Sequence, residues 1–324
     1  MNNCNSELKQ NGLTRMLRSI KLIDILTVVS LVAEIAIFAY LTDGRFLSAY
    51  NIKSMLIQSA IYLVAALGVT YIMTTGNMIE FSAGGIVCIA TAVTCVVSQF
   101  TSPLVTILIC FGVALAFASL ISVVNLAFNV PTFIVGIVLM QFSSSFTSLF
   151  YMNFTHSAAP WLSRLGDYSL YLFVALAAFI VCAFIFTFTK SGKHIKAVGS
   201  NPSVAMNSGI NVKKYSYLAY LIYGVLIGLC ALLTTIRLGA FSTTVASTYP
   251  MEILLMLIVG GIPLSGGSNV KIRSSLIGVL VFIAMSSGLK LVGVSVYYID
   301  IIRALIFFTI VSLTYDRSST KFVL

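Results

Sequence analysis

The chain has 324 residues, 59% of them apolar and 9% charged, against about 45–50% and about 25% in soluble domains. So few charges cannot cover a water-facing surface. The composition therefore implies a polytopic membrane protein and excludes a soluble enzyme, a disordered chain, a secreted disulfide scaffold and a nucleic-acid binder. The formal charge of +10 reads as basic loops held beside anionic lipid.

Residues 1–21 are polar and basic, with no small-residue cleavage site before the first apolar run. They are expected to be a cytoplasmic tail ahead of a retained first span. A bilayer core about 30 Å thick takes roughly 20 apolar residues per helix. Runs of that kind fall at 22–41, 52–74, 82–98, 103–126, 131–152, 168–188, 216–236, 250–267, 274–290 and 298–315. They predict an all-α fold of ten transmembrane helices in a single domain over 22–315, with a tail at 316–324. With the N-terminus inside, the cytoplasmic segments hold Lys9, Arg15, Arg18, Lys21, Lys190, Lys193, Lys196, Lys213, Lys214, Lys271, Arg273, Arg317 and Lys321. Those are thirteen of the nineteen basic residues, a bias that puts both termini in the cytoplasm. The longest interior connection, 189–215, is polar, basic and cytoplasmic on this topology. No loop is long enough for a separate catalytic domain, so any energy source is another chain or the membrane potential.

The chemistry-bearing motifs are few. No phosphate loop, HExxH, GxSxG or GxGxxG is present. Five of the six cysteines lie in apolar runs, none in a CxxC pair. With two histidines, they read as small buried hydrophobes and no metal site is expected. The sequon Asn153-Phe154-Thr155 is a weak pattern.

Two glycine-rich stretches break the helical pattern. One carries Gly76, Glu80, Gly84 and Gly85, the other Gly260, Gly261, Gly266 and Gly267. They read either as breaks at membrane depth in an internally duplicated transporter or as tight turns at the cytoplasmic surface. Ionisable residues within spans are Glu34, Glu252 and Arg303. Each is a functional candidate, because a charge in the bilayer is costly; the alternatives are an inter-helix hydrogen bond or, for Arg303, snorkelling. A solute path is expected to draw on Glu80, Asn125, Gln141, Ser144 and Glu252. The polar fifth span, with Ser143, Ser145, Thr147 and Ser148, either lines that path or glues helices. Gly224 and Gly228 form a GxxxG pair that reads as close helix packing.

Several of these stretches resemble, in order, the permease subunits of sugar-type ABC importers, the ribose, galactose and xylose type. Gly76-Asn77-Met78-Ile79-Glu80-Phe81-Ser82 is similar to that family's GGIDLSVG element, and Asn129-Val130-Pro131-Thr132-Phe133-Ile134 to its VPPFI element. The segment from Gly192 to Pro202, with Ser208-Gly209-Ile210, resembles its GRxIxAxGxN…SGI loop. Gly260 to Gly267 resembles GGTSLAGG, and Gly293-Val294-Ser295-Val296-Tyr297-Tyr298 resembles GVSxYY. The departures mark a divergent member: Asn77 to Glu80 replace Gly-Gly-Ile-Asp, Pro250 replaces an acidic residue, Ser268-Asn269-Val270 replace Gly-x-Gly, and Arg273-Ser274 replace Gly-Thr.

The resemblance implies a pore-forming subunit of a prokaryotic cytoplasmic membrane that catalyses nothing itself and binds no cofactor. ATP and magnesium would belong to cytoplasmic ATPase subunits docking on 189–215 through Gly192, Lys193, Lys196, Gly199, Asn201, Ser208, Gly209 and Ile210. Gly199, Asn201 and Gly209 would shape the turns of that segment. The further partners implied are an extracytoplasmic solute-binding protein, a second permease copy or paralogue, and membrane lipid. The solute would be a sugar or sugar-like molecule. Branched-chain amino acids or nucleosides are the alternatives within the same machinery, and a self-contained ion-coupled transporter is the alternative outside it.

Overall fold

The structure, a computed structural model, describes residues 29–76, 80–154 and 157–314. The two tails, the start of the first predicted span, Asn77-Met78-Ile79 and Thr155 of the sequon lie outside the described residues. Each of the ten predicted runs overlaps one helix: α1 (Val29–Leu41), α2 (Ala49–Thr74), α3 (Ser82–Ser98), α4 (Pro103–Phe128), α5 (Thr132–Asn153), α7 (Tyr168–Phe188), α10 (Val212–Leu238), α11 (Val245–Val259), α12 (Ile272–Leu291) and α13 (Val296–Thr314). Three short helices fill connections: α6 (Pro160–Arg164), α8 (Lys190–Ser200) and α9 (Pro202–Asn207). By length and composition α2, α4, α5, α7, α10 and α12 are able to cross a membrane, whereas α1, α3 and α11 are shorter apolar helices. The chain is an all-α polytopic membrane protein.

One expectation needs correction. The run at 250–267 is not one helix. It begins five residues earlier, in Val245-Ala246-Ser247-Thr248-Tyr249, and stops at Val259, where Gly260 and a left-handed Gly261 turn the chain. Hydropathy misplaces it because polar residues start the helix and apolar turn residues follow it. The 189–215 connection is largely helical: α8, α9 and the first turn of α10 occupy most of it.

Lipid is as apolar as leucine, so inter-helix packing here depends on close fit and polar contacts. The central helices α2, α3, α10, α11 and α12 bury most of their side chains, including Tyr71, Tyr220, Tyr223 and Phe282. Around them α4 and α7 turn outward Leu104, Leu108, Leu120, Phe173, Leu176, Ile180 and Phe184, a surface suited to acyl chains. Small residues let the backbones meet. Gly224 and Gly228 of α10 lie against Phe111, Ala114, Leu115 and Ala118 of α4, so the GxxxG pair packs within the chain. Pro250 has no N–H, which frees the Ala246 carbonyl; Gly84 of α3 fits against that carbonyl and the proline ring. The Tyr71 hydroxyl donates to the Cys182 carbonyl at 2.7 Å, and the Thr70 and Ser275 hydroxyls lie 3.0 Å apart. Five cysteines, from Cys88 to Cys230, are buried and free.

Connections alternate between the two ends of the bundle. At one end the strap after α5 pairs with the start of the α10–α11 connection, Ala158 N–H donating to the Gly239 carbonyl at 2.7 Å. The glycine-rich stretches and α8–α9 gather at the other.

Candidate coupling junction and intramembrane cavity

The α8–α9 pair is built by local hydrogen bonds. The Thr189 hydroxyl accepts from Gly192 N–H at 3.2 Å, starting α8, and the Asn201 side chain accepts from Ser203 and Val204 N–H at 3.0 and 3.2 Å, starting α9. These are N-caps of the ordinary kind. At the end of α9, Gly209 is left-handed (φ 78°) and Ile210 N–H donates to the Ala205 carbonyl at 3.0 Å. That is a Schellman stop, with the Ser208 hydroxyl turned back to Val204. Asn211 then caps α10 through Lys214 N–H at 3.0 Å.

The pair has an inner and an outer face. Ile195, Val198 and Gly192 are buried, and Lys196 lies 3.9 Å from the Phe186 ring centroid. Partial burial there pulls the Lys196 ammonium pKa below its ordinary value. His194 packs edge-on against Tyr215, with centroids 4.5 Å apart. Outward, Lys190, Lys193, Lys213 and Lys214 are exposed, as are Val204 and Met206.

Three backbones meet at the inner side. Gly199 lies in the last turn of α8, not in a turn as the resemblance implied. A Cβ built on it would stand 1.8 Å from the Thr74 carbonyl oxygen and 3.3 Å from Gly267 Cα. Gly76 also lies against Gly199, and Gly267 N–H donates to the Met73 carbonyl at 2.8 Å. The end of α2, the end of α8 and the second glycine stretch thus touch without intervening side chains. Gly260, at the start of that stretch, crosses Gly278 and Ser274 of α12 at similar closeness. Gly261 and Gly266 carry its turns at positive φ. Gly85, in α3, faces Ser143 of α5.

The expected path residues are not gathered in one place. Asn125 donates to the Val130 carbonyl at 2.9 Å, closing the α4–α5 turn. Gln141 is exposed on α5 and Ser144 half-buried, while Ser143 and Thr147 face inward as packing groups. Glu80 is fully buried. One carboxylate oxygen accepts from Ser82 N–H at 2.7 Å at the start of α3, and the Ser82 hydroxyl lies 2.8 Å from that of Tyr223. Its other oxygen is without a partner among the described residues. Glu34 is half-buried in α1.

Glu252 occupies a different setting. Its Oε1 accepts from Arg303 Nη1 at 2.9 Å, and its Oε2 accepts from the Tyr62 hydroxyl. Arg303 also reaches Asp300 at 3.0 Å and the Ser286 hydroxyl at 3.0 Å, and stacks over the Phe282 ring at 4.8 Å. Arg303 therefore does not snorkel; pairing offsets the cost of its burial. Glu252, Phe282, Asp300 and Arg303 line a cavity of about 470 Å³ between α11, α12 and α13, together with Ser247, Thr248, Met251, Leu255 and Ala304. Sequence reading named Glu252 and Arg303 separately but gave no sign that residues 51 positions apart are partners.

An all-helical bundle with a basic helical knob on its glycine junctions, and an ion-paired cavity near the opposite end, is the architecture of a multi-pass membrane protein of the transport class. Residues 51–311 match the family model of the branched-chain amino acid transport system permease component, and the chain belongs to that family. It is similar to the ribose import permease of Escherichia coli (strain K12), 26% identical over 292 residues, covering 86% of this chain and 90% of the relative. The galactose/methyl galactoside import permease of the same strain is 29% identical over 306 residues, covering 85% and 90%. The ribose import permease of Bacillus subtilis (strain 168) is 25% identical over 300 residues, covering 88% and 91%. The resemblance read from the motifs is thus shown. No solved structure matches the chain.

Proposed function

We propose that this chain is the membrane-spanning permease of an ATP-binding-cassette importer for a sugar or sugar-like polar solute. It has ten spans with both termini in the cytoplasm of a prokaryote, and it works as a pair with a second permease. Cytoplasmic ATPase subunits dock on α8–α9, around Val204 and Met206, and a solute-binding protein docks at the opposite end. The observation that carries this reading is the backbone junction of Gly199, Thr74 and Gly267. A rigid-body shift of α8, driven by ATPase closure, passes directly into α2 and the α11–α12 connection. The relatives named for ribose and galactose support a sugar over a branched-chain amino acid.

The test is a pull-down of the tagged full chain in mild detergent. Co-purification of an ATPase with a phosphate loop is expected. Gly209→Pro should release it, because proline cannot adopt the left-handed φ that ends α9. A chain that purifies alone and moves solute under a proton gradient overturns the reading.

A further inference from the structure

The cavity between α11, α12 and α13 is more than a gap between helices. Its lining comes from the first turns of α11 and α13 with Phe282 of α12, toward the end of the bundle opposite the glycine junction. Its volume of about 470 Å³ lies within the roughly 300–1,000 Å³ of small-molecule sites. Its polar groups are already oriented. Tyr62 and Arg303 hold Glu252 from behind, and Ser286 and Asp300 hold Arg303. Each carboxylate keeps lone pairs beyond those used, and Ser247 and Thr248 add hydroxyls. Arg303 Nε–H, buried, has no partner among the described residues. Phe282, covered by Arg303, backs the cavity, and Met251, Leu255 and Ala304 form an apolar wall.

We propose that this cavity is an entry-side binding subsite for a neutral polyhydroxylated solute of monosaccharide size, so that the permease itself discriminates among solutes. The proposal rests on the importer reading only for the direction of entry. Vicinal hydroxyls both donate and accept. They suit a wall where the carboxylates of Glu252 and Asp300 accept and the exposed hydroxyls of Ser247 and Thr248 donate or accept. The two carboxylates of Glu252 and Asp300 outweigh the single guanidinium of Arg303, so the site is net negative and repels phosphorylated or acidic solutes. A simple cation finds Glu252 already paired on both oxygens.

The test places a reporter in the wall. Met251 lines the cavity and is exposed, whereas the five described cysteines are buried. Met251→Cys in the full chain, with Cys4→Ser to remove the cysteine outside the described residues, is reconstituted in lipid nanodiscs and labelled with a water-soluble thiol reagent in the presence of D-ribose, D-galactose, ribose 5-phosphate or L-leucine. D-ribose or D-galactose should slow labelling saturably, by about tenfold at ten times the apparent Kd. Ribose 5-phosphate and L-leucine should not. Adding Glu252→Gln should abolish protection. Should that variant fail to fold, Thr248→Val, at an exposed hydroxyl, should weaken protection instead. Equal labelling under all four solutes, or protection by L-leucine alone, overturns the subsite. An assembled complex that imports solute without any such protection sinks the subsite and leaves the importer. Protection in a chain that recruits no ATPase does the reverse.

Discussion

Glu252 and Arg303 are where single residues carry most. Each is about one-eighth exposed, at 12% and 13%, so neither charge is well hydrated and each depends on the other. Removing one partner leaves an uncompensated charge, which in buried settings costs about 3 kcal/mol or more. Glu252→Gln and Arg303→Met should each lower the unfolding midpoint in detergent. The double variant should lose less than the sum, with a coupling of about 2 kcal/mol. Strict additivity in that cycle would mean that the ion pair seen here does not hold α11 to α13. Chemistry explains why half of this was legible in sequence. A charge within an apolar run is conspicuous because the bilayer makes it costly. The identity of its partner is not, because nothing local links a glutamate to an arginine two helices away.

At the scale of elements, boundaries follow from local rules and contacts do not. Asn201, Gly209 and Asn211 punctuate α9 and α10 as cap and stop residues do anywhere, and a sequence reader can place them. Gly199 is different. Its motif position suggested a turn, yet the residue is helical, and its missing side chain is needed because Thr74 passes 125 positions earlier in the chain. The same holds for Gly260 and Gly278, whose pairing sets the α11–α12 distance. A Cβ on Gly278 would sit 1.9 Å from the Met256 carbonyl oxygen. Gly278→Ala should therefore destabilise by about 1–3 kcal/mol through overpacking. Gly112→Ala, on the open face of α4 with nothing within 4 Å, should be neutral or slightly stabilising, by up to about 1 kcal/mol. Thermal unfolding of the two variants checks this, and equal midpoints would show that the crossing tolerates separation. The 250–267 run was misplaced for a related reason. Hydropathy scores side chains, while the end of α11 is set by backbone conformation at Gly260 and Gly261.

For the whole molecule, the arrangement separates two tasks along one axis. An ion-paired cavity sits near one end, and a basic helical knob rests on bare backbone at the other. The central helices α2, α11 and α12 run between them. Composition and hydropathy were sufficient for the membrane class and for the existence of every apolar helix, because those depend on averages over about 20 residues. The coupling junction depends on three backbone approaches and emerges only in three dimensions. It is also the central claim, and Gly199→Ala addresses it most directly. The complex with its co-purified ATPase, reconstituted in vesicles, would be assayed for ATP hydrolysis and solute uptake together. The predicted result is a variant that keeps its ATPase bound and hydrolysing but loses most of its uptake, because α8 can no longer seat on Thr74 and Gly267. Uptake at the unmodified level by Gly199→Ala would contradict the account.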